Sequence, residues 1–63
     1  MIPVRSSVIR AIDYNHSTMQ LYINFRSGYT YVYHRVPKSV FNGLLRAPSK
    51  GKFFNRYIRG RFE

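Results

Sequence analysis

The chain has 63 residues, 44% of them hydrophobic and 17% aromatic, and carries eleven Lys and Arg against two acids, a formal net charge of +9. That length allows one domain, near the lower limit for a self-supporting apolar core, and the absence of cysteine excludes disulfides and thiolate metal sites and points to a reducing compartment. The longest apolar run is three residues, too short for a bilayer span or a signal peptide, so the chain reads as a soluble cytoplasmic unit whose six Tyr and five Phe must build the core.

Ser7 to Tyr14 reads as a first strand, and Asn15-His16-Ser17 supplies turn chemistry after it. Met19 to Phe25 alternates apolar and polar without a fault, the pattern of a half-buried second strand. A third runs from Tyr29 to Val36, and the turn between these two decides what faces water. A two-residue Ser27-Gly28 loop would put Tyr22, Tyr29, Tyr31 and Tyr33 on the face opposite Leu21, Ile23 and Phe25, as an aromatic platform flanked by Arg26 and Arg35. A three-residue Arg26-Ser27-Gly28 loop, with Gly28 in the left-handed position of a bulge, pairs Phe25 with Tyr29, Ile23 with Tyr31 and Leu21 with Tyr33. One residue of slip inverts the whole third strand. The three-residue turn is favoured because it gathers an almost wholly apolar face, with the tyrosine rings in the core and only their hydroxyls at its rim.

Val36-Pro37 ends the third strand and opens a helix, proline being suited to a first helical position. Val40, Phe41, Leu44 and Leu45 form the stripe that packs on a sheet, and Gly43 weakens the helix while permitting a close approach. Ala47-Pro48-Ser49 breaks it, with Ser49 placed to cap a second helix. The expected architecture is α+β, a single domain over residues 1–63, with a three-stranded antiparallel β-meander followed by two short helices on one sheet face.

From Arg46 to Arg61 there are six cations and no acid. At 100° per residue, Lys52, Arg56 and Arg59 fall within about 60° of one another, opposite Phe53, Phe54, Tyr57 and Ile58. One face of the second helix is then basic and the other is core. Membrane insertion would have to withdraw Phe54, Tyr57 and Ile58 from that core, whereas phosphate binding leaves them in place. Pro48-Ser49-Lys50-Gly51-Lys52 reads equally as a capped helix start and as a phosphate cradle, but it lacks the spacing of a nucleotide-hydrolysing P-loop. The eight arginines against three lysines suit bidentate phosphate contacts.

Catalytic chemistry is poorly provided for. Asp13 and Glu63 are the only carboxylates, His16 and His34 are isolated from any third metal ligand, and Ser6, Ser7 and Ser49 have no evident base. No enzyme, cofactor, metal or small-molecule substrate is expected.

Taken in order, Ser6-Ser7-x-Ile9, Leu21-x-Ile23-x-Phe25, Tyr31-x-Tyr33, Val36-Pro37 and Ala47-x-Ser49-Lys50-Gly51-x-Phe53-Phe54-Asn55-x-x-Ile58-Arg59-Gly60 span most of the chain. In that order and spacing they resemble the KTSC domain, a module named for the C-terminus of some lysyl-tRNA synthetases and also found as a stand-alone bacterial protein. The resemblance implies the same fold and, by its attachment to a tRNA synthetase, favours RNA over DNA.

The sequence therefore predicts a non-enzymatic nucleic-acid-binding module, with Lys50, Lys52, Arg56, Arg59 and Arg61 on phosphates and Arg46 and Lys38 flanking them. In the two-residue register, Tyr22, Tyr31 and Tyr33 would add a stacking platform. The alternative is a regulatory module that docks the same basic face on an acidic protein.

Overall fold

In the computed structural model, residues 1–62 are described; Glu63 lies outside them. Four strands, not three, form one antiparallel sheet in chain order: β1 (Ile2–Pro3), β2 (Ile9–Asn15), β3 (Gln20–Phe25) and β4 (Thr30–Tyr33). The additional strand, β1, pairs Ile2 with Ile12 and Pro3 with Ala11. Two residues carry no periodicity to read, and Pro3, without an N–H, suits an edge position. Helix α1 (Lys38–Arg46) and the short α2 (Lys50–Phe53) follow, and α2 runs directly into a π-helical turn at Phe54–Ile58.

The alternation of β2 is broken and then restored. Ile9 pairs with Phe25 while Ala11 pairs with Asn24, so Arg10 is an extra residue, a β-bulge. The bulge explains how Ile9 and Ile12, three apart, both reach the core, with Tyr14 following on the same face. After Tyr14, the Asn15 side-chain carbonyl accepts from the N–H of Ser17 at 2.9 Å and of Thr18 at 3.3 Å, closing the turn into β3.

The second hairpin adopts the three-residue turn. Leu21 pairs with Tyr33 and Ile23 with Tyr31, the Phe25 N–H donates to the Tyr29 carbonyl, and Gly28 has φ +105°, a conformation glycine adopts without strain. The third predicted strand is shorter than expected. Arg35, with φ +57°, ends it and turns Val36 inward, where the Val36 N–H donates to the Met19 carbonyl and its own carbonyl accepts the buried Tyr14 hydroxyl at 2.6 Å. Pro37 stands one position earlier than expected, as the N-cap of α1: its ψ of 148° is extended while its carbonyl already accepts the first helical bonds, from Val40 and Phe41.

The core unites Ile9, Ile12 and Tyr14 of β2, Leu21 and Ile23 of β3, Tyr33 of β4, and Val36, Phe41, Leu44, Phe54 and Ile58 from the segments that cover them. Each fully buried aliphatic side chain among these stabilises the fold by roughly 1.5–3 kcal/mol. Gly43 permits the expected close approach: a Cβ there would stand 2.7 Å from the Phe53 ring tip, so α1 and α2 meet glycine against aromatic. Among the described residues no helix is long and apolar enough to cross a membrane.

Candidate nucleic-acid interface

The C-terminal cations do not form the single stripe that a continuous α-helix would give them. After Phe53 the backbone widens to i→i+5 bonding, with the Arg59 N–H on the Phe54 carbonyl at 2.9 Å. The change of pitch keeps Phe54 and Ile58 buried but invalidates a wheel drawn at one constant angle, and three neighbouring clefts share the charges instead. Lys50 and Lys52 line a cleft of ≈ 440 Å³ together with Arg5 of the N-terminal loop. Lys52 and Arg56 line a second, of ≈ 350 Å³, with Tyr57. Arg59 lines a third and larger groove of ≈ 730 Å³, together with Arg26 from the β3–β4 turn. Arg46, Arg61 and Lys38 stand outside these three clefts, at the C-terminal end of α1, beyond the π turn and at the start of α1.

Several of these groups also hold the scaffold. The Lys50 ammonium, half-buried, donates to the Ala47 carbonyl at 2.7 Å just past the end of α1, where a positive charge is favourable. The Ser49 hydroxyl accepts the Lys52 N–H at 3.3 Å, which makes Ser49 the cap of α2, as expected. Arg56 lies 5.6 Å from the centroid of the Tyr57 ring. Tyr57 itself is 46% exposed, which corrects its expected place in the core: the widened turn leaves it outside Phe54 and Ile58, against Phe53 with ring centroids 4.6 Å apart and planes tilted by 43°.

The predicted platform of Tyr22, Tyr31 and Tyr33 is not formed. Tyr22 pairs with Val32 on the opposite sheet face, its hydroxyl donating to the Gln20 side-chain carbonyl at 2.9 Å, and Tyr33 is buried. The favoured register is present, yet its expected consequence fails for two of the three β4-side rings. Tyr29 is 68% and Tyr31 53% exposed, although both share the core side of the sheet with Tyr33, which is 5% exposed. The C-terminal segment covers Tyr33, through Phe54 at 5.7 Å, and leaves the hairpin tip uncovered. The result is an aromatic strip that runs from the core into the large groove, Tyr33 to Tyr31 at 6.5 Å and Tyr31 to Tyr29 at 6.1 Å, backed by Phe25 at 5.7 Å from Tyr31.

Arg26, named above only as a flank of the aromatic platform of the two-residue turn, and Tyr29 both line this groove and were not among the expected site residues. Arg26 donates its Nε to the Ser6 carbonyl and its backbone N–H to Val8 at 2.9 Å, which ties the hairpin tip to the N-terminal loop. A cation at the first position of a tight turn between two alternating strands was the available signal. Asp13, the one acid among the described residues, projects from β2 on the exposed side, at the position paired with Tyr22.

The model of the KTSC domain matches residues 5–62. The chain belongs to this family. A lysine–tRNA ligase of Nostoc punctiforme is 43% identical over the whole chain, which spans only 11% of that protein's length. A protein of Tsukamurella paurometabola is 44% identical over 98% of the chain and 92% of its own length. The crystal structure of a KTSC domain protein from Yersinia pestis matches with a TM-score of 0.94 at 41% identity, over 97% of this chain and 86% of that one. Most of the KTSC signature positions quoted above serve the fold. The Ser6 hydroxyl accepts the N–H groups of Val8 and Ile9, both at 3.1 Å, Ser49 caps α2, Gly51 stands 3.4 Å (as Cβ) from Val8, and Gly60 has φ +75°. Lys52, Arg56, Arg61 and Arg26 fall outside that signature, on the exposed surface.

Proposed function

We propose that this KTSC domain is a non-enzymatic nucleic-acid-binding module, RNA favoured, that holds phosphates with the cations of its C-terminal segment and of the adjoining N-terminal loop. The observation that carries the reading is the unbalanced exposed charge: Lys52, Arg56, Arg59 and Arg61 are all exposed within one stretch that contains no acid. Exposed charges of one sign at this density repel one another unless an anion compensates them, and a polyphosphate backbone does so at many positions at once. Arginine adds bidentate phosphate contacts to that attraction. The preference for RNA rests on likeness to a segment of proteins named as lysine–tRNA ligases, an argument by association.

Fluorescence anisotropy of single-stranded RNA, duplex RNA and duplex DNA of equal length, titrated across salt, tests this. Five phosphate contacts on a single strand give a log–log salt slope of about −3.5. Arg56→Ala/Arg59→Ala should reduce the slope by about 1.4 and weaken binding to all sequences alike. A folded double variant that binds unchanged would remove the C-terminal segment from the interface. Wild-type protein that binds no nucleic acid at low salt, yet forms a stoichiometric complex with an acidic protein, would instead favour the regulatory alternative.

A further inference from the structure

We infer that the groove between the β3–β4 hairpin tip and the π turn takes unpaired nucleotides of a single strand, with bases stacked on Tyr29 and Tyr31 and phosphates held by Arg26 and Arg59. The inference rests on the nucleic-acid reading and adds to it a site and a strandedness that charge alone does not supply. Tyr29 and Tyr31 are the two most exposed Tyr or Phe rings among the described residues, and Tyr29, just before β4, and Tyr31, within it, stand two positions apart on the same side of the sheet, so they present a repeated flat surface. Their centroids are 6.1 Å apart with planes tilted by 34°. Successive bases of a stacked helix rise by only about 3.4 Å per strand, so neighbouring bases in a duplex cannot each meet one ring. A strand with its bases splayed apart can, and base–aromatic stacking is the usual mode for unpaired nucleotides.

The charges in the groove select the same ligand. Arg26 comes from the hairpin turn and Arg59 from the C-terminal segment, so both structural walls of the groove contribute a cation. Arg26 is fixed by its Nε bond to Ser6, which leaves its two Nη groups for a phosphate; the Arg59 Nη1 reaches Asn55 at 3.5 Å, a loose tether that lets the side chain turn toward the groove. Asp13 stands on the exposed outer side of the sheet, away from this groove. An anion with a flat apolar part fits this combination, and the open form of the groove lets a chain pass along it.

The test compares a twelve-nucleotide single-stranded RNA with the same sequence in duplex form, by anisotropy. Tyr29→Ala/Tyr31→Ala should lose single-strand affinity by on the order of tenfold for each ring while duplex affinity changes by less than about twofold. Tyr29→Phe/Tyr31→Phe, which keeps both faces, should bind as wild type. Intrinsic tyrosine fluorescence of the wild-type protein should fall on adding single strand and not on adding duplex, a readout that needs no variant to fold. Lys52→Ala/Arg56→Ala is the control for charge and should weaken both forms alike. If that control weakens both while the double alanine variant of the rings binds single strand unchanged, the nucleic-acid reading stands and the groove is overturned. If wild-type protein binds neither form at low salt, the underlying reading fails with it. A wild-type dimer by light scattering that Tyr29→Ala/Tyr31→Ala converts to monomer would overturn the proposal in favour of a second copy in the groove.

Discussion

Tyr33 and Tyr31 are the same residue type, two positions apart on β4 and on the same side of the sheet, and they end in opposite surroundings. Tyr33 is buried against Phe54, whereas Tyr31 and its neighbour Tyr29 stand mostly in water, in contact with each other and with Phe25. Strand alternation decides which side of a sheet a residue faces. It does not decide where the covering layer lies, and here that layer runs on from the π turn to Phe62, whose carbonyl accepts the His34 N–H at the far end of β4, and leaves the hairpin tip uncovered. The two ends of the strip are accordingly held by different forces. Apolar packing secures the covered end. Polar bonds order the open end, through the Arg26 N–H on Val8, Arg26 Nε on the Ser6 carbonyl and the Ser6 hydroxyl on the start of β2.

Truncating one ring from each end should break the comparison most clearly. Removing a buried aromatic side chain costs about 3–5 kcal/mol through lost burial and the cavity left behind, so Tyr33→Ala should remove a third or more of the domain's stability. The whole domain has roughly 3–9 kcal/mol to lose at typical stability per residue. Tyr31→Ala, on a half-exposed ring, should change stability by less than about 1 kcal/mol. Urea titration followed by circular dichroism measures both. Equal losses would mean that the outer rings are core after all and that the groove is closed in solution.

A smaller effect tests how the covering layer is held in place. Gly43→Ala gains about 1 kcal/mol of helix propensity but drives a methyl group to within 2.7 Å of the Phe53 ring tip. Overpacking of this kind costs about 1–3 kcal/mol, so the expected net loss is about 1 kcal/mol and the melting temperature should fall by about 4–8 °C. A rise would show that the Phe53 ring swings clear and that the contact between α1 and α2 does not depend on this glycine.

The parts of this molecule that were legible in the sequence are those written in periodicity or in turn chemistry. The alternation from Leu21 to Phe25, the stripe on α1, the three-residue turn with Gly28, the Ser49 cap and the use of Gly43 all follow from side-chain spacing or from the conformations that particular residues allow. β1 was not legible because two residues, one of them proline, carry no pattern. The π turn was missed because a hydrophobic stripe at Phe53, Phe54, Tyr57 and Ile58 suits an α-helix and nothing in that spacing signals a wider turn; with it went the assumption of one basic face. The groove was missed for a further reason. Its two tyrosines satisfy every local criterion of core residues, and their exposure depends on where a different segment, some twenty-five residues later, lies.

Another small effect concerns the open end. Ser6→Ala removes the acceptor for two backbone N–H groups, Val8 and Ile9, at the start of β2. Comparable hydroxyl caps are worth about 1 kcal/mol, so the loss should be near that, about a third or less of that for Tyr33→Ala. Ser6→Thr, which keeps the hydroxyl, should recover most of it. The Ser6 carbonyl still meets Arg26 in either variant, but in the alanine form the loop that carries it is less well held. Hydrogen exchange at the Val8 and Ile9 amides should therefore quicken in Ser6→Ala, while exchange at Leu21 and Ile23, in the middle of the sheet, should follow only the global stability. Equal acceleration at both places would mean that the open end unfolds only together with the core, and that the two ends of the aromatic strip form one cooperative unit despite their different surroundings.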